Sequence, residues 1–276
     1  MALCPAPLLY TALLLQPIGV FDSGLGWLSV LQAVRQLLPA EPLVYLADQA
    51  RVPYGPRSCV EVCGFAEQVT RFLLVHEARL VVVACNTASA CALEHLRREF
   101  PKLLFVGMEP AVKPAVEGSV RKVVAVLATP ATFSSARYAS LVQRYGSGAQ
   151  VLQDACSGWV ELVEAGTTDT PQAHAAVRAV LQPLLAAGAD TLVLGCTHFT
   201  FLKKAINECA GAGVAIVDPA PAVARRVQDL LPQSEPQPAA PGSVRVYTTG
   251  LQQYTLQRAA SVALGRAVAV ERVVLV

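Results

Sequence analysis

Short apolar runs alternate along the chain with segments in which apolar residues recur at helical spacing. The runs are nearly continuous and rich in Val, Leu and Ile, which is typical of strands buried on both faces of a sheet. They predict nine strands, at residues 18–21, 43–47, 80–84, 103–107, 123–128, 151–155, 191–195, 214–217 and 244–248. Strands that alternate with helices in this way predict an α/β fold with doubly wound, mostly parallel sheets.

Two of the intervening segments show the helical pattern clearly. Between Trp27 and Leu38, apolar side chains recur at spacings that place them on one face of a helix. Further on, Ser58 followed by Glu61 forms a capping box, which indicates that a helix begins there. One face of this second helix is predicted to carry Cys59, Val62, Cys63, Ala66, Val69 and Leu73.

A short internal similarity links two of the predicted strands. LVVVACNT, residues 80–87, is similar to TLVLGCTH, residues 191–198: each is an apolar strand, a small residue, a cysteine and two polar residues. Short apolar strands are common, so coincidence is one explanation. The other is that the chain has two structurally related halves, each of which presents a cysteine beyond the carboxyl end of a strand. Open α/β sheets bind their ligands at that edge.

Composition narrows the classes of protein that fit. Hydrophobic residues make up 54% of the 276 residues and charged residues 15%, which supports a large core and excludes a disordered chain. The net charge is +2 and like charges form no block, so no nucleic-acid partner is expected. No apolar run reaches the roughly 18 residues of a membrane helix, so no membrane partner is expected either.

Two segments are interpreted as lying outside the core. Residues 1–16 are apolar, but no basic residue precedes their apolar stretch and no small-residue cleavage site follows it. They are interpreted as an extension, with a secretory signal as the alternative. Residues 232–242 are rich in proline and are predicted to form a surface loop.

The chain has eight cysteines, and they fall into different settings. The length and the large core favour a reduced, cytoplasmic protein over a disulfide scaffold. Four cysteines are interpreted as small core residues: Cys59, Cys63, Cys91 and Cys209. Cys85 and Cys196 differ, because each directly follows a predicted strand and precedes polar residues that start helices. A helix N-terminus favours the thiolate form of a nearby thiol, which indicates chemical reactivity.

Three chemistries could use these two cysteines. A metal site could recruit Cys85, Cys196 and His198, although the chain has no tight Cys-x-x-Cys pair to support it. Cys196 and His198 could form a nucleophile for acyl transfer, which would leave Cys85 unexplained. Proton transfer at a carbon acid would use both cysteines, one removing a proton from one face and the other delivering a proton to the opposite face.

Seven motifs resemble the glutamate racemases of the aspartate/glutamate racemase superfamily and appear in the order typical of that family. They are IGVFDSGLG (18–26), ARVPYGPRS (50–58), VVACNTASA (82–90), GMEPAVKPA (107–115), VLATPATFSS (126–135), LVEAG (162–166) and DTLVLGCTHF (190–199). YTTG (247–250) resembles the family more loosely.

The resemblance implies a cofactor-independent racemase that converts L-glutamate to D-glutamate for peptidoglycan synthesis in the cytoplasm. It implies two α/β domains related by pseudo-twofold symmetry, with the active site between them. The predicted domains are residues 17–108 with 220–276, and residues 109–219. A homodimer is left open. The alternatives are an aspartate racemase of the same superfamily and a protein that binds an acidic amino acid without chemistry.

The resemblance also assigns roles to residues, with glutamate as the only ligand and with no metal. The catalytic residues are expected to be Cys85, Cys196, Asp22, His198 and Glu164. The substrate-binding residues are expected to be Asp22, Ser23, Tyr54, Gly55, Asn86, Thr87, Thr197 and His198. Thr129 and Thr132 match a threonine pair that also meets the substrate. Asp22 is expected beside Cys85, and His198 beside Cys196.

The chain departs from the family pattern at several positions. Trp27 stands where a glycine is usual, and its size is expected to narrow the approach to Asp22 and Ser23. Thr200 replaces a customary proline, and Gly250 replaces a usual acidic residue.

Overall fold

The computed structural model describes residues 16–231 and 242–275. Within these residues, ten strands form two sheets, and every strand pair is parallel. In chain order the strands are β1 (Ile18–Asp22), β2 (Leu43–Ala47), β3 (Leu80–Val83), β4 (Leu104–Gly107), β5 (Val123–Ala128), β6 (Gln150–Asp154), β7 (Thr191–Gly195), β8 (Ala215–Val217), β9 (Val244–Thr248) and β10 (Val270–Arg272). The predicted extension and the predicted proline-rich loop lie outside the described residues, apart from the last residue of each.

Eleven α-helices lie between the strands of the described residues. They are α1 (Leu28–Leu37), α2 (Cys59–Val75), α3 (Asn86–Glu99), α4 (Val112–Gly118), α5 (Pro130–Phe133), α6 (Ala136–Tyr145), α7 (Trp159–Glu164), α8 (Pro171–Ala186), α9 (Lys203–Ala210), α10 (Ala220–Leu230) and α11 (Gln253–Leu264). Three 3₁₀ segments follow the ends of β1, β2 and β7: Leu25–Trp27, Gln49–Arg51 and Thr197–Leu202. Among these described helices, none combines the length and the hydrophobicity that crossing a membrane requires.

The two sheets share one topology. Their strand orders are β10-β9-β2-β1-β3-β4 and β6-β5-β7-β8, so the run β2-β1-β3-β4 repeats the arrangement of the smaller sheet. Strands β3 and β7, which precede Cys85 and Cys196, occupy the same place in the two arrangements. The predicted α/β fold with two parallel sheets is confirmed. The domain bounds stay a prediction, since sheet membership does not assign every helix to one domain.

The nine predicted strands are all present, with ends that shift by at most one residue. The tenth strand, β10, was not predicted, because its three residues include the exposed Glu271 and Arg272 and show no apolar run. It pairs with β9 at the edge of the larger sheet.

Apolar clusters cover both faces of the larger sheet, as its continuous apolar strands require. Ile18 and Val20 of β1 point into one cluster with helices α1 and α10, whereas Phe21 points into another with α2 and α3. The first cluster continues to the smaller sheet through Ala125 and Leu192. The carboxyl ends of β1 and β3 are thus held firmly from both sides, and the candidate site lies at these ends.

The structure contradicts the prediction for one pair of cysteines. The predicted capping box of Ser58 and Glu61 is confirmed, and it places Cys59 in the exposed first turn of α2. There Cys59 forms a disulfide with Cys91 of the adjacent helix α3, over a Cα–Cα distance of 5.0 Å. The interpretation of Cys59 and Cys91 as reduced core residues is therefore wrong. Cys63 has a free thiol and is partly buried.

Candidate active site

Asp22 links the larger sheet to the segment that follows β7 of the smaller sheet. It ends β1 and is fully buried. Its Oδ1 accepts a hydrogen bond from the backbone N–H of Ser23 at 2.7 Å, and its Oδ2 accepts one from the Thr197 hydroxyl at 3.0 Å. Burial raises the pKa of Asp22 to about 6, although the positive charge of His198 and these hydrogen bonds oppose the rise.

Cys85 caps the N-terminus of α3. Its Sγ accepts a hydrogen bond from the Ala88 N–H at 3.5 Å and lies 3.9 Å from the Ser23 hydroxyl oxygen. The predicted helix-start setting is confirmed, but the expected preference for thiolate is not. Burial, and then the negative charge of Asp22, raise the pKa of Cys85 well above its usual value. The single bond from the helix start is too weak to offset them.

Cys196 lies in a related but different setting. It follows β7, yet the segment after it is 3₁₀ rather than α-helical, and its side chain accepts no capping hydrogen bond. Its partner is His198, whose Nδ1 lies 4.0 Å from the sulfur. Burial alone lowers the pKa of His198, but bonds to Cys196 and Glu164 and the nearby negative charges outweigh burial and raise that pKa well above its usual value.

Glu164 holds the far side of the imidazole. It ends α7, and its Oε1 accepts hydrogen bonds from His198 Nε2 at 2.6 Å and from the Leu25 N–H at 2.7 Å. Burial raises the pKa of Glu164, but the hydrogen bonds and the charge of His198 lower that pKa by more than burial raises it. The net shift is therefore downward. The side chain is 15% exposed, whereas an isolated acidic residue at a helix end is usually solvated.

Two glycines make this crowded arrangement possible. A Cβ atom at Gly24 would overlap the Glu164 carboxylate, and one at Gly26 would lie 2.7 Å from both Asp22 Oδ2 and His198 Nδ1. Any larger residue would displace the groups around both thiols. The glycines of the segment DSGLG (22–26) are therefore needed because the backbone there lies very close to the side chains of the site. The segment does more than start a helix.

The remaining predicted binding residues occupy three settings. Both side-chain polar atoms of Asn86, next to Cys85, are buried without a hydrogen-bond partner. The Thr87 hydroxyl bonds to the Thr129 hydroxyl at 2.8 Å, and the Thr129 hydroxyl bonds to that of Thr132 at 3.1 Å. This chain of hydroxyls links α3 to α5, which follows β5 of the smaller sheet. Gly55 packs against Thr129, since a Cβ there would lie 3.1 Å from the threonine Cβ.

Tyr54 differs from the other predicted binding residues. Its hydroxyl donates to Asp48 Oδ2 at 2.5 Å and so is already engaged.

Trp27, which was expected to narrow the approach to Asp22, is fully buried in the core and stacks on Tyr45 with 3.4 Å between the ring centroids. Its ring is therefore held in the core packing of the first half.

The site is closed and contains residues that the sequence pattern did not indicate. Cys85 and Cys196 are 5% and 7% exposed. Gln49 Nε2 donates to Glu164 Oε2 at 3.2 Å, and the Thr248 hydroxyl donates to Gln49 Oε1 at 2.9 Å. Both residues lie at the carboxyl ends of predicted strands, which is a partial signal, but the pairing of β2 with β9 that brings them together is seen only in the structure. Across residues 16–231 and 242–275, no three His, Cys, Asp or Glu side chains form a metal-binding group.

The chain is similar to known racemases over most of its length. The Asp/Glu/hydantoin racemase family model matches residues 28–227. A glutamate racemase of Roseiflexus sp. is 50% identical over 216 residues, which cover 78% of this chain and 79% of that protein. The glutamate racemase isoform RacE1 of Bacillus anthracis superposes with a TM-score of 0.84 at 31% identity, covering 94% of this chain and 98% of that one.

An Escherichia coli glutamate racemase, solved with L-glutamate and an activator, superposes with a TM-score of 0.82 at 30% identity and covers 95% of this chain and 99% of that one. The family match spans well over half of the chain, and the relatives are matched over most of their length. The chain therefore belongs to the Asp/Glu/hydantoin racemase family, among its glutamate racemases.

Proposed function

We propose that this protein interconverts L- and D-glutamate by moving the α-proton between Cys85 and Cys196, without a cofactor. The observation that carries the proposal is the placement of the two thiols. Each follows the equivalent strand of one half, and a single hydrogen-bonded group of side chains, centred on Asp22 and Thr197, joins their surroundings. A substrate between the halves would present one face to each sulfur.

In the direction from L- to D-glutamate, Cys196 is the base. The raised pKa of His198 keeps the imidazole protonated at neutral pH, and Nδ1–H then stabilises a negative sulfur on Cys196. Glu164 balances the imidazolium charge from the other side. Cys85, whose pKa is raised, remains a thiol and delivers a proton to the opposite face of the α-carbon.

In the reverse direction, Cys85 is the base. Its pKa must fall when substrate arrives, and the substrate ammonium supplies the opposite charge that lowers a thiol pKa. Asp22, with a pKa of about 6, is ionised at neutral pH and is suited to bind that ammonium beside Cys85. The same carboxylate thus binds substrate and controls the charge near one thiol.

The α-proton is weakly acidic, so the site must stabilise carbanion-like charge with fixed hydrogen-bond donors. The amide of Asn86 is suited to this task, because its buried polar atoms have no hydrogen-bond partner. Ser23, Gly55, Thr87 and Thr197 are proposed to contact the substrate beside it, with the Thr197 hydroxyl proton already donated to Asp22. Tyr54 contributes by holding the adjacent turn through Asp48. We extend the proposal to a cytoplasmic role that supplies D-glutamate for peptidoglycan. A homodimer stays a prediction.

Solvent exchange tests the mechanism directly. Purified protein in D₂O is expected to convert L-glutamate to the racemate and to incorporate deuterium only at Cα, with no added pyridoxal phosphate or metal. Aspartate in a parallel reaction is expected to exchange far more slowly, and a faster exchange would identify an aspartate racemase. Tight glutamate binding without any exchange would instead identify a binding protein.

A further inference from the structure

Glu164 is held at both carboxylate oxygens, but not equally. Oε1 accepts the bonds from His198 and Leu25, whereas the described residues offer Oε2 one donor, the Gln49 amide. The terminal torsion of a glutamate side chain is broad, so a carboxylate fixed at one oxygen can still rotate. The bond from Gln49 therefore fixes the plane of the carboxylate, and this plane sets the direction of the bond to His198.

Gln49 is itself held in one orientation. An ionised carboxylate only accepts hydrogen bonds, so the NH₂ of Gln49 must face Glu164 and its carbonyl oxygen must face away. That oxygen accepts the hydroxyl of Thr248, a fully buried residue at the end of β9. The Thr248 oxygen in turn accepts the Gly250 N–H at 3.0 Å. A continuous chain of hydrogen bonds runs from this backbone amide to the imidazole.

Gly250 allows the chain of bonds to close. A Cβ atom at position 250 would lie 2.6 Å from the Cβ of Gln49 and would push the two segments apart. The resemblance to the family places an acidic residue at this position, and any side chain there would meet Gln49. Three distant parts of the chain, Gln49, Glu164 and Thr248–Gly250, meet here.

We infer that Gln49 and Thr248 are positioning residues for racemisation, which act through Glu164 to orient His198 against Cys196. The inference rests on the proposed function of these two catalytic groups. Among the described residues, the side chains that hydrogen-bond to Gln49 and Thr248 do not include Ser23 or Cys85, and the hydrogen-bond partners of Cys85 are Ser23 and Ala88. Loss of the chain of bonds should therefore slow proton removal by Cys196 and leave Cys85 largely unaffected.

Isotope effects separate the two thiols. The enantiomers are equal in energy in water, so kcat/KM is the same in both directions for every variant and cannot reveal the asymmetry. In Gln49→Met, kcat should fall about tenfold, the scale of one hydrogen bond to a charged group, while KM changes little. The primary isotope effect should rise with α-deuterated L-glutamate and should not rise with α-deuterated D-glutamate, because in that direction Cys196 acts only after the C–D bond has been broken.

Matched variants control for a merely structural effect. Thr248→Val should behave like Gln49→Met, whereas Thr248→Ser retains the hydroxyl and should restore wild-type values. Gln253→Met makes the same substitution at a residue that bonds to the Val270 carbonyl, and it should change nothing. If Thr248→Val does not fold because the Gly250 N–H loses its partner, Gln49→Met still provides the test.

A readout independent of turnover is the ring signal of His198 in histidine-labelled protein. The chain has four histidines, and His198 is the buried one at 2% exposure. Its signal should shift in Gln49→Met but not in Gln253→Met. If the wild-type protein racemises glutamate and Gln49→Met keeps its kcat, both isotope effects and the ring signal, the inference is wrong and the proposed function stands. Equal rises in both isotope effects would also refute it. An inactive wild-type protein would refute the proposed function itself.

Discussion

Replacing Asp22 with asparagine should stabilise the protein at neutral pH while removing its activity. The pKa of Asp22 is raised from 3.8 to about 6 because the carboxylate is fully buried. Each unit of pKa shift corresponds to about 1.4 kcal/mol, so keeping Asp22 ionised costs the folded state about 3 kcal/mol. Asparagine removes that charge, and its amide can still bond to the Ser23 N–H and to the Thr197 hydroxyl.

The pH dependence has a defined sign. The folded-state pKa lies above the unfolded value, so protonated Asp22 contributes stability that is complete below the unfolded pKa of 3.8 and is lost as pH rises to about 6. The wild-type protein and Asp22→Asn should therefore be about equally stable near pH 4. Between about pH 4 and pH 6 the variant should become increasingly more stable than the wild-type protein, and above about pH 6 the difference in free energy of unfolding should stay at its full value.

Urea unfolding at a series of pH values measures this difference. Trp27 and Trp159 are fully buried, so tryptophan fluorescence reports the loss of both halves. Asp190→Asn is a matched control, for which the opposite change in the free energy of unfolding is expected. Bonds from the Arg121 N–H and the Ser119 hydroxyl outweigh burial and lower the pKa of Asp190 to about 2, so that variant should be destabilised at neutral pH. A pH-independent loss of stability in Asp22→Asn would refute the reasoning.

Three further outcomes are expected. Cys85→Ser and Cys196→Ser should each lower kcat on the order of a hundredfold to ten-thousandfold in a polarimetric assay, because a serine hydroxyl ionises far less readily than a thiol and so supplies almost no base at neutral pH. His198→Asn should raise the primary isotope effect more with α-deuterated L-glutamate than with the D-enantiomer, and parallel changes would mean that His198 serves both thiols. The Cys59–Cys91 disulfide closes a loop of 32 residues, so its reduction should lower the free energy of unfolding by about 2–4 kcal/mol, measured with and without a reductant, while turnover persists.

The parts of the fold that depend on local pattern were predictable. Continuous apolar runs indicated nine strands, and the strand–cysteine–polar pattern placed Cys85 and Cys196 at equivalent sheet edges. A resemblance extending over most of the chain then indicated Asp22, Glu164 and His198 as candidate catalytic residues. None of these conclusions required knowledge of which distant segments touch.

The parts that depend on long-range contact were not predictable. Cys59 and Cys91 fit the apolar face of a helix equally well, and only the packing of α2 against α3 brings the two sulfurs together. Gln49 and Thr248 are ordinary polar residues until β2 pairs with β9 across the sheet. The size of Trp27 indicated a narrowed site, but the direction of its ring is decided by the partner Tyr45.

The order of strands in the larger sheet has a consequence for synthesis on the ribosome. β9 lies between β2 and β10, yet it is translated after the entire smaller sheet. Until β9 emerges, one edge of β2 has no partner in the nascent chain and is exposed to pairing with other chains. The smaller sheet, whose four strands are contiguous, can form first. Because Thr248 arrives with β9, we expect His198 to gain its final orientation only after β9 has been made and has paired with β2.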